Sequence, residues 1–385
     1  MKVLIISHTY ISPINRLKWQ ELAKHYPTAT LKVLIPKRWK THFFDVESSG
    51  LAHDSLKNCT FESLPTFFSG NELLYFYSPF KFIKLLWAFK PDVIHVEQGL
   101  HALSYFQAIL LNRILGIGAR CSFFTWVNWL PSFNFKTKLL TKIFGWFNAK
   151  GSSGAIAGNA DAQKILTATR ASLPTLVLPQ LGIDTKLFKP AHTTKPFDHK
   201  KYITYVGRVV EEKGLMTLVH AIAKLANQYM NWHLIIVGSG EFEKQIIDYV
   251  ISKKLLNRVE FHTPVSHEKI VEFMQMTDIF VLPSLDVNNW REQFGHVLIE
   301  AMACRVCVVG SDAGEIPNVV ADAGVIFKQG DSQALYEALG TLITRPSLRS
   351  SLAQKGLDRV MQEYTHKVIA EKTYNFWQSL SSTTP

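Results

Sequence analysis

Two glutamates, Glu292 and Glu300, stand eight residues apart in the segment EQFGHVLIEAMA. The pattern places Glu292 in a loop and Glu300 about two turns into an apolar helix. A carboxylate inside VLIEAMA must find hydrogen-bond donors if it is buried. The paired hydroxyls of a ribose are such donors, and a capping or salt-bridging role is the plain alternative. Phe294 and Gly295 lie between the two acids, and Gly295 offers a backbone N–H near the helix start. Upstream, VGRVVEEKG carries Arg208 and Lys213, five residues apart, before and at the start of a helix. Two cations beside a helix N-terminus make a site for a diphosphate. Gly207 ends the preceding strand and lets the backbone pass close to a ligand. In VGSGEFE, a strand runs into Gly238-Ser239-Gly240. This is half of a dinucleotide fingerprint. The third glycine is missing, and so is the acid expected about twenty residues on, which argues against an oxidoreductase.

Each of these loops follows an apolar run, and those runs define the elements that must position them. KVLIIS, LKVLI, PDVIHV, CSFFTW and GAIAG read as strands separated by helix-period segments. The pattern restarts with YITYVGR, WHLIIVGSG, RVEFHT, IFVLPS and VCVVGS. Continuous apolar strands alternating with helices predict parallel sheets covered on both faces. Between the two sets, LFKPAHTTKPFDHKK has the composition of a linker. We therefore expect one Rossmann-like domain over 1–186, a second over 187–365, and a C-terminal helix and tail over 366–385, with the helix packing back on the first domain. The last residues, SLSSTTP, read as a loose tail. In such sheets ligands sit beyond the carboxyl ends of the strands. Asn159 in AGNADAQ is expected to cap a helix.

The net charge of +11 is unevenly spread. Residues 1–189 hold 22 Lys and Arg against 10 Asp and Glu, and the remainder holds 20 against 21. No acid occurs between Glu97 and Asp161, a stretch holding Arg113, Arg120, Lys136, Lys138, Lys142 and Lys150 among many aromatics. That mixture points to an anionic membrane surface, against the alternative of an ordinary solvated basic face. Nucleic acid is excluded as a partner, because no helix-turn-helix, zinc-finger or RNA-binding signature is present. The N-terminal run MKVLIISHTY stops too soon for a signal peptide. No apolar stretch suffices to span a bilayer. A cytoplasmic protein, on the inner face of the membrane if it binds there, is expected. Cys304 and Cys307 form a C-x-x-C at a helix end running into a strand, which reads as buried reduced thiols.

Taken together, GRVVEEKG, VGSGE, FHTPVSHEKI, DIFVLPS, EQFGHVLIEAMAC and GSDAGEIPNVV run collinearly over roughly 200–325. They resemble family 4 of the retaining glycosyltransferases, whose fold is GT-B: two doubly wound Rossmann-like α/β domains facing a cleft. The resemblance implies transfer of a sugar from a nucleotide-sugar donor, such as a UDP- or GDP-sugar, to an acceptor hydroxyl. It implies that Arg208 and Lys213 hold the donor diphosphate, Glu300 the ribose, and Glu292 the transferred sugar. Phe294 and Gly295 would lie along sugar and phosphate, Gly207 and Gly238 would line the donor site, and Val265 would meet the base. It implies no metal and no other cofactor. The acceptor would be a saccharide or a lipid-linked sugar in polysaccharide or glycolipid assembly. The N-terminal half departs from the family. Its first loop, SHTYISPINRLK, has Pro13, Asn15 and Arg16 in place of glycines, and TWVNW offers Asn128 where a His is usual. On the acceptor or sugar side the candidates are Asn15, Arg16, Glu97 and Asn128. Arg16 is equally suited to capping a helix, and Glu97 to the dipole of one. A phosphorylase or epimerase on the same fold, or a non-catalytic binding protein, are the rival readings.

Overall fold

The computed structural model describes residues 1–41, 45–128, 135–191 and 200–382, without the side chains of 135–140 and 382. The end of the expected tail (383–385), the middle of the expected linker (192–199), and the side chains of Lys136 and Lys138 lie outside the described residues.

Two compact units form, one of Met1–Gly182 with His366–Pro385, the other of Ile183–Thr365. The main sheet of the first has seven strands: β1 (Lys2–Ile6), β2 (Thr30–Pro36), β3 (Cys59–Leu64), β4 (Val93–Val96), β5 (Arg120–Thr125), β6 (Gly154–Ala157) and β7 (Thr175–Val177). All neighbours pair in parallel, in the order β3-β2-β1-β4-β5-β6-β7. Val3 of β1 faces Leu31 on one side and Val93 on the other. Helices α1 (Leu17–His25), α2 (Pro79–Phe89), α3 (Leu103–Ile114), α4 (Phe135–Gly151) and α5 (Ala160–Thr169) connect them. Asn159 caps α5 as expected, its side chain accepting the N–H of Ala162 at 2.8 Å.

The second unit repeats the plan with β8 (Lys201–Val206), β9 (Trp232–Val237), β10 (Val259–His262), β11 (Ile279–Leu282), β12 (Cys307–Ser311) and β13 (Gly324–Phe327). Their order is β10-β9-β8-β11-β12-β13, again all parallel. Helices α6 (Leu215–Leu225), α7 (Glu243–Ser252), α8 (His267–Met276), α9 (His296–Ala303), α10 (Ile316–Val320), α11 (Ser332–Thr344) and α12 (Pro346–Arg359) belong to this unit. Both sheets have the 3-2-1-4-5-6 order of a Rossmann fold, the first with one strand added. The order reverses between β1 and β4 and between β8 and β11, which is where such sheets open a binding crevice.

The last helix, α13 (His366–Ser382), belongs to the first unit. Its Trp377, fully buried, stacks on Trp19 of α1 with centroids 5.5 Å apart, and Tyr374 packs against Tyr26 at 4.3 Å. The C-terminal helix thus returns to the N-terminal sheet, as its apolar residues predicted.

Candidate functional site

In the second unit, β8 ends at Val206 and β11 at Leu282, on either side of the strand-order reversal. A pocket of about 290 Å³ opens there, lined by Gly207, Arg208, Lys213, Glu292, Gly295 and Glu300 among others. Loops some eighty residues apart in sequence meet because parallel strands deliver their carboxyl ends to one edge of the sheet.

The loop after β8 is tightly held. Tyr205 Oη donates to the Arg208 carbonyl at 2.6 Å, and Gly207 N–H bonds to Val237 O at 3.0 Å. Gly238 is packed so closely that a Cβ on it would meet the Gly207 carbonyl oxygen at 1.9 Å. A glycine there permits the contact between the two loops. Arg208 projects into solvent, its side chain 62% exposed, with Glu212 3.4 Å from its guanidinium. Lys213 is held inward. Its Nζ donates to Glu292 Oε2 at 2.6 Å and lies 4.8 Å from the Trp290 ring centroid.

Glu292 is fixed from three directions. Ser284, just beyond β11, donates to the same Oε2 at 2.8 Å, and Ser311 Oγ in turn holds the Ser284 carbonyl at 2.6 Å. The Glu292 carbonyl accepts the Glu315 N–H at 3.0 Å. The carboxylate is therefore buried but paired, which satisfies its charge. Gly295 takes φ +80° as the N-cap of α9, and a Cβ there would meet Leu282 Cδ2 at 2.9 Å. That left-handed residue turns the loop into the helix. One turn on, Glu300 is half-buried among apolar neighbours. Burial pushes its carboxyl up to about 7. Phe294 is buried, its ring 4.9 Å from His296 and 5.5 Å from Tyr364. Val265 stands half-buried in the loop between β10 and α8.

The structure therefore gathers Gly207, Arg208, Lys213, Glu292, Gly295 and Glu300 around one pocket, while Gly238, Phe294 and Val265 do not line it. Sequence reasoning missed Ser284, Ser311 and Trp290. Ser284 was visible in the VLPS segment, but nothing in sequence joins it to Glu292. Cys304 and Cys307 are buried free thiols, each pushed up to about 12 by burial. Among the described residues no group of three His, Cys, Asp or Glu side chains gathers as a metal site would require.

The N-terminal candidates need correction. Arg16 is fully buried and spends its guanidinium on the protein. Nε donates to Tyr10 O at 2.8 Å, Nη2 to Ile11 O at 3.0 Å, and Nη1 to Ser49 O at 2.8 Å and Asp54 at 2.5 Å. With four of five N–H groups used, it pins the first loop and has no face for a phosphate. Glu97 does follow the end of β4, but its carboxylate is buried rather than open to an acceptor. It contacts Lys18 Nζ at 3.4 Å and accepts from Gln180 Nε2 at 3.0 Å. Burial lowers the Lys18 ammonium from its usual range, opposed by Glu97. Asn15 is half-buried and donates to Thr9 O at 2.9 Å, and Asn128 is buried three residues beyond β5.

A different part of the first unit is open. A pocket of about 1080 Å³ lies past the ends of β1 and β2, lined by His8, Ser12, Trp39, Asn71 and Glu72 among others. His8 stacks on Trp39 at 4.5 Å; its Nδ1 accepts from Gln98, leaving Nε2 3.4 Å from Glu72. None of these was singled out in sequence, since His8 and Trp39 are thirty-one residues apart and carry no motif.

Comparison with known proteins bears on both halves. The family model described as "Glycosyl transferases group 1" matches residues 191–359. The capsular polysaccharide biosynthesis glycosyltransferase CapM of Staphylococcus aureus is 31% identical over 184 residues, 46% of each chain. A GDP-mannose-dependent monoacylated alpha-(1-6)-phosphatidylinositol monomannoside mannosyltransferase of Corynebacterium glutamicum is 28% identical over 51% of this chain and 55% of its own. The chain thus spans about half the length of the curated relatives it matches. HepE of Anabaena, solved in complex with UDP, has a TM-score of 0.72 at 19% identity, over 98% of this chain and 100% of that one. At that identity the likeness shows the fold: GT-B, built from two Rossmann-like domains. Among the described residues no helix is long and apolar enough to cross a membrane.

Proposed function

We propose that this chain, whose residues 191–359 match the family model of the glycosyl transferases of group 1, is a retaining glycosyltransferase using a nucleotide-sugar donor. The observation that carries the reading is the convergence of Arg208, Lys213, Glu292 and Glu300 on one pocket at the β8/β11 reversal. Lys213 bonds to Glu292 through one N–H and has two more to give to phosphate oxygens. Exposed Arg208 closes on the same diphosphate. Their charges stabilise the leaving group as the bond from the anomeric carbon to the phosphate oxygen breaks. They supply the positive charge that a metal supplies elsewhere, so we expect turnover without added metal. Glu300 receives the ribose hydroxyls. Glu292, locked by Ser284 and Lys213, presents its other oxygen to the transferred sugar, whose ring gains positive charge as the diphosphate departs. The acceptor hydroxyl then attacks from the face the diphosphate leaves, which retains configuration.

The acceptor is a saccharide or lipid-linked sugar, in polysaccharide or glycolipid assembly at the cytoplasmic face of the membrane. The names of CapM and of the mannosyltransferase support that setting, as does the basic N-terminal half. The open pocket beside His8, Trp39 and Glu72 is the acceptor site we favour in place of Arg16 and Glu97. A donor screen that detects nucleotide release, run with and without membrane extract and with EDTA, tests the reading. Release from a UDP- or GDP-sugar that rises with extract and survives EDTA is expected, with the product keeping the donor's anomeric configuration by NMR. Inverted product, or release that requires inorganic phosphate, would overturn it.

A further inference from the structure

We propose that the outward face of α2 docks the protein on an anionic lipid bilayer. Phe82, Leu85 and Leu86 of this helix are buried in the first unit. Phe80 and Trp87 point the other way, 86% and 68% exposed. Neither ring contacts another ring or a cation among the described residues. Lys81, Lys84 and Ala88 are exposed between them, and Lys90 follows the helix end. Phe80, Lys84 and Trp87 follow a helical i, i+4, i+7 stripe. No acid occurs between Glu72 and Asp92, so nothing in the local sequence offsets these lysines.

The surroundings extend the same chemistry. Lys81 and Lys84, with Lys32 of β2, line an open groove of about 540 Å³ against β3. Lys32 is matched by Glu62 at 2.7 Å. Among the described residues Lys81 and Lys84 pair with no acid. Exposed large aromatics cost free energy in water, and unopposed ammonium groups beside them seek phosphate. A helix of about 16 Å lying flat, aromatics at the headgroup boundary and lysines reaching lipid phosphates, satisfies both. The charge count over 98–160 pointed to a different segment. Its helix α4 does expose Trp146 and Ile143, but Lys150 already lies over the Trp146 ring at 4.2 Å. On α2, by contrast, no cation lies over either exposed ring among the described residues.

The inference rests on the membrane setting proposed above and assigns it a face. Sedimentation with vesicles of phosphatidylcholine alone, and of phosphatidylcholine mixed with phosphatidylglycerol, tests it. The full chain should bind the mixed vesicles and not the neutral ones, less so with added salt. Lys81→Gln with Lys84→Gln should weaken binding by about 30-fold, and Phe80→Ala with Trp87→Ala by about tenfold. Both variants should bind free nucleotide normally, because that pocket lies in the other unit; this also shows that they fold. If the full chain binds but both α2 variants bind equally well, the assignment to α2 is overturned while the membrane setting stands. Loss on Lys142→Gln with Trp146→Ala would then place the contact on α4. Failure of the full chain to bind either vesicle overturns both. A dimer in ultracentrifugation that Trp87→Ala abolishes, without vesicle binding, would make a second copy the occupant and overturn the proposal.

Discussion

At the scale of single residues, the two glutamates of the pocket differ in how their charge is treated. Glu292 is buried with a cation at 2.6 Å, whereas burial pushes the Glu300 carboxyl up to about 7. Folding therefore holds the Glu300 proton more tightly than the unfolded chain does. Between about pH 4.5 and 7 the native state binds the extra proton, so this group's contribution to stability falls as pH rises and levels off above 7. Glu300→Gln should flatten that part of a plot of melting temperature against pH. Ribose hydroxyls donate best to the ionised form. Nucleotide affinity should accordingly rise as pH passes through 7, and the rise should be lost in Glu300→Gln. Titration calorimetry at several pH values checks this. Glu292→Gln keeps the shape and the Ser284 bond. It should leave nucleotide binding near normal while slowing transfer, because the lost charge matters most when the sugar ring is cationic. Lys213→Ala should harm binding and turnover together. It also strands a carboxylate only 9% exposed, at a stability cost of about 3 kcal/mol. Full turnover in Glu292→Gln would remove that residue from the transferred sugar.

Elements hold these residues in place, and the weak points are where an element begins or is clamped. Gly295 starts α9 at φ +80° with Leu282 close above it. Gly295→Ala should cost about 1–2 kcal/mol for the left-handed backbone alone. The shifted helix start should weaken nucleotide binding as well. At the other end of the chain, α13 is fixed by the stack of fully buried Trp377 on Trp19. Trp377→Ala should destabilise by about 3–5 kcal/mol, read from chemical denaturation. Nucleotide affinity under native conditions should be little changed, since no donor-site residue touches that stack. The buried Lys18–Glu97 pair works at the same scale. Gln180 joins it to Thr9 at 3.1 Å, tying the first loop to the segment that leaves the sheet.

The molecule is built on two main sheets, and the chain's own last helix packs in the unit of the first. Because α13 belongs to the first unit, that unit is discontinuous in sequence, while the second is continuous from Ile183 to Thr365. Two calorimetric transitions are expected. Nucleotide, whose pocket lies wholly in the second unit, should raise only the transition of that unit. Removal of 366–385 should lower only the other. A single transition shifted as one by both would show that the units unfold together.

What the sequence determined by itself was whatever depends on short spacing. The central strands were legible because strands buried on both faces are continuous apolar runs, as in KVLII and WHLIIV. β3, β7 and β13 were not anticipated; all three are edge strands, and only β3 (CTFESL) lacks an apolar run, β7 and β13 being short ones of three and four residues. The loops of the second unit were legible for a related reason. Their phosphate- and ribose-binding residue types sit within a few positions of a strand end or helix start. Tertiary structure alone decided which partner each charge meets. Lys213 and Ser284 both meet Glu292, Glu97 is consumed by Lys18 and Gln180, and Arg16 by four oxygens of its own loop and of 49–54. Those partners lie up to 83 residues away, and a parallel sheet brings them together only when its strands are stacked in order. A charged side chain reads the same in sequence whether it ends in solvent or in a buried pair. Only the packing around it determines which chemistry it retains.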